Sequence, residues 1–147
     1  MGESVNWAFL DQECLALAQT HGTPLFAYRG SVTSSGYRSL RAPLPDRVRI
    51  AYAVKANPDP DLLQCFAALD VGFDSASIGE LRRVRALDLA PGQIFSAGPG
   101  KRTEELTLAL GMGVRVQAEG WEDLERLDRL ATRELGVNLR VHSRRVS

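Results

Sequence analysis

Cysteine, histidine and charge excess are all scarce in this chain, and each scarcity closes off a class of function. The 147 residues include two cysteines and two histidines, and neither Cys14 nor Cys65 stands at a metal-ligand spacing. Both thiols fall in helical patterns and read as reduced packing residues, with no metal site expected. Eighteen basic residues balance eighteen acidic ones, so there is no basic stripe to neutralise phosphates. The arginine pairs Arg82-Arg83 and Arg144-Arg145 are too short to act as one. No apolar run approaches the ~18 residues of a membrane span, and Glu3 and Asp11 stand where a secretion signal would be basic. The expectation is a cytoplasmic chain without nucleic-acid or membrane partners. Aromatic residues make up only 7%, yet the 44% hydrophobic content is that of an ordinary globular core.

What is present is an alternation of helix and strand signals. Trp7, Leu10, Cys14 and Leu17 recur at helical spacing until His21-Gly22. Leu25 to Tyr28 reads as a short strand, and Ser31 to Leu40 as a weak helix, poor in helix formers. Val48 to Val54 is the first well-defined strand. Asp59-Pro60 opens a helix through Leu62, Leu63, Phe66 and Leu69 as an N-cap and first-turn pair. Strands at Val71 to Ser75, Gln93 to Ala97, Val114 to Ala118 and Val137 to Val141 follow. Between them lie helices over Leu81, Val84 and Leu87, over Leu106, Ala109 and Leu110, and over Trp121, Leu124, Leu127 and Leu130. The second of these is expected to be capped by Thr103 and to stop at Gly111. Strand followed by helix, repeated, implies a parallel sheet.

Lys55 ends the run Tyr52-Ala53-Val54-Lys55-Ala56-Asn57, just before Asn57-Pro58 reverses the chain. An amine held against apolar walls loses hydration, which leaves a neutral nucleophile able to form an imine with an aldehyde. Lysine also ends many strands without function, so position alone leaves both readings open. Asp74 closes the second strand, where aspartate is also a common turn residue. Ser77 and Glu80 have the spacing of a capping box, which by itself accounts for the glutamate. Arg140, between Leu139 and Val141, faces either a site or an outer ion pair. Gly98-Pro99-Gly100-Lys101 is a tight turn and not a phosphate-cradling loop, since Phe95 and Arg102 occupy the positions of that motif's first glycine and its hydroxyl residue.

The run Tyr52 to Leu63 resembles the cofactor-lysine segment of the fold-type III pyridoxal-phosphate decarboxylases, the diaminopimelate, ornithine and arginine decarboxylase family. Gly72 to Leu81 resembles that family's second strand and following helix, and Phe95 to Lys101 its third strand-to-helix loop. Order and spacing agree across Thr23 to Val141. The resemblance implies an α/β fold, a partial (β/α)8 barrel of about five parallel strands with helices outside. It also implies pyridoxal 5'-phosphate as cofactor, Lys55 as its covalent anchor and catalytic residue, and Asp74, Arg140 and Glu80 as cofactor-binding residues. The expected reaction is loss of the α-carboxylate from a small-molecule amino acid. The residues Pro58-Asp59-Pro60-Asp61 after the lysine are unlike those of the alanine-racemase branch, which stands as an alternative.

A complete barrel takes ~250 residues. The chain is therefore expected to hold an amino-terminal lead-in over 1–47 and an incomplete pyridoxal-binding barrel over 48–147, with the family's carboxy-terminal β domain absent. The resemblance places the phosphate-holding glycines and the acidic partner of the pyridine nitrogen past Ser147. On this reading the chain is a truncated or frame-shifted product, inactive alone. A further alternative is a noncatalytic remnant that binds the cofactor, forms a homodimer or pairs with a full-length homologue.

Overall fold

The computed structural model describes residues 11–132 and 137–140. The chain separates into two compact units, Met1–Leu44 and Pro45–Ser147. In the first, α1 spans Asp11–His21 and α2 spans Gly30–Arg41. Arg29 joins them within that unit through its Nη2, 2.6 Å from Glu13 Oε1. The strand expected over Leu25 to Tyr28 is not formed. Its four residues are all apolar, but a strand exists only where backbone groups find a ladder partner. Phe26, in the middle of the run, is 90% exposed. Cys14 is likewise exposed and does not pack, whereas Cys65 is half-buried. Trp7 and Leu10 lie outside the described residues.

The second unit is built from β1 (Ala51–Ala53), α3 (Pro60–Ala67), β2 (Gly72–Ser75), α4 (Ile78–Arg85), β3 (Ile94–Ser96), α5 (Thr103–Met112), β4 (Arg115–Ala118), α6 (Trp121–Leu130) and β5 (Val137–Leu139). All four strand pairings are parallel, in the order β1-β2-β3-β4-β5. This is five strands of a (β/α)8 arrangement in sequence order. The unit is held by one face of the sheet. Phe73, Ile94, Val116 and Ala118 alternate along their strands and are buried with Leu63, Leu81, Val84, Leu106, Ala109 and Leu127 from the helices. The intervening positions Gly72, Asp74, Phe95, Arg115 and Gln117 lie on the opposite face and are half-buried or exposed. That second face is the one a closed barrel would enclose.

Local chemistry accounts for most of the boundaries. Asp59 accepts hydrogen bonds from the N–H groups of Asp61 and Leu62 at 3.0 and 3.2 Å, with Pro60 opening the helix. Ser77 accepts from Glu80 N at 3.3 Å, and Glu80 reaches back to Ala76 N at 2.9 Å, a capping box displaced by one residue. Thr103 is not the cap of α5. The Leu106 N–H already bonds to the Arg102 carbonyl at 3.0 Å, so the first turn closes one residue early with Arg102 as N-cap. Nor does α5 stop at Gly111. It ends where Gly113 takes φ +67°, with Gly113 and Val114 N–H returning to the carbonyls of Leu110 and Ala109, a left-handed close that glycine alone adopts cheaply. The Trp121 side chain, expected among the packing residues of α6, is 74% exposed. It is the first residue of that helix, ahead of the turn that meets the sheet. Gly136 and Val141 lie outside the described residues. Among the described residues no helix is long and apolar enough to cross a membrane.

Candidate active site

The carboxyl ends of the parallel strands carry the predicted residues. The first strand is shorter than expected: pairing stops at Ala53, opposite Asp74, and Val54–Ala56 forms a 3-10 turn containing Lys55. Three contacts fix this turn. Val54 is fully buried. The Tyr52 hydroxyl donates to the Asn57 carbonyl at 3.2 Å, and Arg83 Nη1 donates to the Pro58 carbonyl at 3.1 Å. Lys55 itself is exposed, so the apolar walls expected around its amine are not supplied by the described residues.

Asp74 is half-buried, and its Oδ1 is a buried atom with no hydrogen-bond partner. Burial pushes its carboxyl above the ordinary 3.8, opposed by the Lys55 and Arg140 cations and assisted by the Glu80 and Glu119 charges. Those four groups therefore act on Asp74 from one neighbourhood. Glu80 contributes at a distance only, because both its oxygens serve the α4 cap, Oε1 accepting from Ser77 Oγ at 3.1 Å. Arg140 lies 3.4 Å from Glu119 Oε2, and its N–H continues the β4–β5 ladder to the Ala118 carbonyl.

A carboxyl whose folded pKa is raised binds its proton more readily in the native state. Stability therefore falls as pH rises from the ordinary aspartate value through the raised one. Asp74→Asn, which cannot ionise, should flatten that part of the profile. It should exceed the parent in stability above that window, by an amount that solvent screening of this half-buried group keeps small, as read by urea unfolding between pH 4 and 8. An unchanged profile would mean that Asp74 is solvated like any surface carboxylate.

Two site neighbours were not legible beforehand. Lys101, read as a turn residue, is 1% exposed. Its amine donates to the Gly98 carbonyl at 2.6 Å and to Asp123 Oδ2 at 3.1 Å. Glu119 follows β4 and accepts from Gly98 N at 3.1 Å and from Gln117 Nε2 at 2.9 Å. Burial works to raise the Glu119 carboxyl, but the Gly98 N–H, the Gln117 amide and the Arg140 and Lys101 cations prevail and hold it below 4.5. Gly98 itself has φ +102°, and a Cβ there would stand 3.3 Å from the Ala76 Cβ, so glycine lets the third loop lie against the second. Among the described residues no cluster of three or more histidine, cysteine or carboxylate groups could hold a metal ion.

An amine, an unsatisfied carboxylate and a guanidinium thus gather at the carboxyl ends of parallel strands, the face on which (β/α)8 domains collect their functional groups. Comparison with known proteins makes the class specific: residues 32–145 match the family described as pyridoxal-dependent decarboxylase, pyridoxal binding domain. The chain belongs to that family. It is 37% identical over 130 residues to the diaminopimelate decarboxylase of Pseudomonas aeruginosa, covering 87% of this chain and 31% of the relative. The Aquifex aeolicus diaminopimelate decarboxylase is 36% identical over 126 residues, covering 85% and 30%. The crystal structure of SrLDC in complex with PLP and cadaverine superposes with a TM-score of 0.85 at 27% identity, covering 97% of this chain and 37% of that one. The chain thus spans about a third of the length of the relatives it matches.

Proposed function

We propose that this chain carries the amine-bearing part of a pyridoxal-phosphate site whose reaction is decarboxylation of an amino acid of the diaminopimelate, ornithine or arginine type. The observation that carries the reading is the convergence of Lys55, Asp74 and Arg140 on one end of the sheet, with Asp74 Oδ1 buried and unpartnered. A buried polar atom without a partner in a cleft is what a bound polar group would satisfy, so the residues present fit the cofactor. When bound, pyridoxal phosphate supplies an electron-accepting ring that stabilises the charge left behind as carbon dioxide departs.

The chain's own residues have separable tasks. Lys55 presents its amine from a turn pinned at Val54 and Asn57, where it can bond covalently to the cofactor's aldehyde carbon. Asp74 attracts that amine by its opposite charge, which helps to orient it at the strand ends. Arg140 adds a permanent cation that keeps Asp74 from holding its proton more tightly. Glu80 serves the site by capping α4, which carries the Arg83 tether to Pro58. Cofactor capture is the task assigned to these residues, and whether they also support turnover is decided by the release measurement below.

The experiment is capture followed by turnover. Protein incubated with pyridoxal phosphate and reduced with borohydride should carry the label at Lys55, and Lys55→Ala should lose it entirely. Carbon dioxide release is then measured from diaminopimelate, ornithine, arginine and lysine. Label with release identifies an enzyme, and label without release a noncatalytic cofactor binder. Absence of label at Lys55 overturns the reading.

A further inference from the structure

The third and fourth strand-to-helix loops are tied together by a closed polar network to which the sequence assigned no task. Lys101 Nζ bridges the Gly98 carbonyl and Asp123 Oδ2, and both charged residues are buried. Asp123 Oδ2 also accepts from Glu119 N at 3.1 Å. Glu119 in turn accepts from Gly98 N through Oε1, so the peptide groups on either side of the Gly98 Cα are both held. Arg126 Nη1 adds a bond to the Lys101 carbonyl at 2.6 Å. One glutamate oxygen is thereby consumed inside the network. The other, Oε2, faces Arg140 Nη1 at 3.4 Å.

That division of labour has a directional consequence. The Glu119 side chain is only 10% exposed against 53% for Arg140, so the carboxylate is the fixed partner and the guanidinium the one being placed. A long cationic side chain on the open face of a sheet has rotamer freedom that a rigid, mostly desolvated acceptor removes. We propose that Glu119, fixed by the buried Lys101–Asp123 pair, is the positioning residue that holds Arg140 at the strand ends for the pyridoxal site. The inference rests on the cofactor reading given above. Glu119 acts through Arg140 and not on the cofactor, and Lys101 is a loop-locking amine with no role as a second anchor.

The test joins a readout that needs no cofactor to a double-mutant cycle of cofactor capture. Glu119→Gln keeps the shape and can still accept from Gly98, but it removes the charge that holds Arg140. In the apo protein the 15N guanidinium signals of Arg140 should move to free-arginine positions in this variant and stay fixed in a control, Glu125→Gln, whose Arg129 partner is on the exposed face of α6. In pyridoxal phosphate titrations trapped by borohydride at Lys55, Glu119→Gln and Arg140→Gln should each weaken capture roughly fivefold. The double variant should be no worse than either, the sign of one coupled pair. Far-UV circular dichroism and melting curves confirm that each variant is folded.

Additive losses, or parental capture by Glu119→Gln alongside impaired Arg140→Gln, would overturn the proposal. If the parent protein takes no label at Lys55, the cofactor reading fails, and the guanidinium signals alone judge the positioning. Signals that ignore Glu119→Gln refute it, and signals that follow the substitution support it.

Discussion

Replacing Lys101 by methionine is expected to destabilise the second unit by about 3–5 kcal/mol, the usual cost of leaving one partner of a buried ion pair without the other. The Asp123 side chain is 6% exposed and would lose its only cation within 4 Å among the described residues. The Gly98 carbonyl would lose its 2.6 Å donor at the same time. Neither loss can be made good by water without opening the loop. The double variant Lys101→Met, Asp123→Leu should recover a large part of the deficit, because an apolar pair of similar volume carries no stranded charge. Recovery stays incomplete, since Glu119 N still lacks the acceptor it has in Asp123. Urea unfolding followed by circular dichroism measures both. A single variant within about 1 kcal/mol of the parent would show that water reaches Asp123 and that the lock between the two loops is open.

The same residue marks the boundary of what the sequence discloses. The Asp59-Pro60 helix start and the Ser77/Glu80 cap depend on contacts between near neighbours and are visible as short motifs, while the five-strand order is visible in the repeated alternation of strand and helix. The placement of Asp74 and Arg140 follows from strand register, which the alternation of Gly72 to Ser75 and the spacing of successive units set together. Lys101 and Asp123 are twenty-two positions apart, and each has an adequate local explanation, one as a turn lysine and the other as an acidic first-turn residue on a helix. Nothing in either run signals burial. Glu119 was overlooked for a related reason: a glutamate between a strand and Gly120 looks like a solvated turn. The Leu25 to Tyr28 strand failed in the opposite direction, because a short apolar run becomes a strand only if some other strand provides the ladder. In both cases the missing information is a partner distant in sequence.

Phe73→Ala should be the most damaging apolar substitution, lowering stability by about 3–5 kcal/mol, and its effect should extend to Lys55. Phe73 is the largest fully buried side chain of the described residues. It sits opposite Tyr52 in the β1–β2 register, with the two rings edge to face at 6.5 Å, while Tyr52 stacks on Phe66 of α3 at 4.3 Å. Tyr52 thus carries the load from the core to the turn, since its hydroxyl donates to Asn57 two residues beyond the lysine. Removing the Phe73 ring leaves a cavity that Tyr52 can partly fill only by tilting, which withdraws that hydroxyl. Tyr52→Phe separates the two effects. It keeps the stack, forfeits the bond to Asn57, and should cost about 1 kcal/mol, while slowing capture of pyridoxal phosphate at Lys55 when the turn is freed. Hydrogen exchange at the amides of residues 54–57 distinguishes the cases: local acceleration in Tyr52→Phe, and acceleration throughout the sheet in Phe73→Ala. Parental exchange at the turn in Tyr52→Phe would mean that Val54 burial and the Arg83 tether hold Lys55 without help from the aromatic cluster.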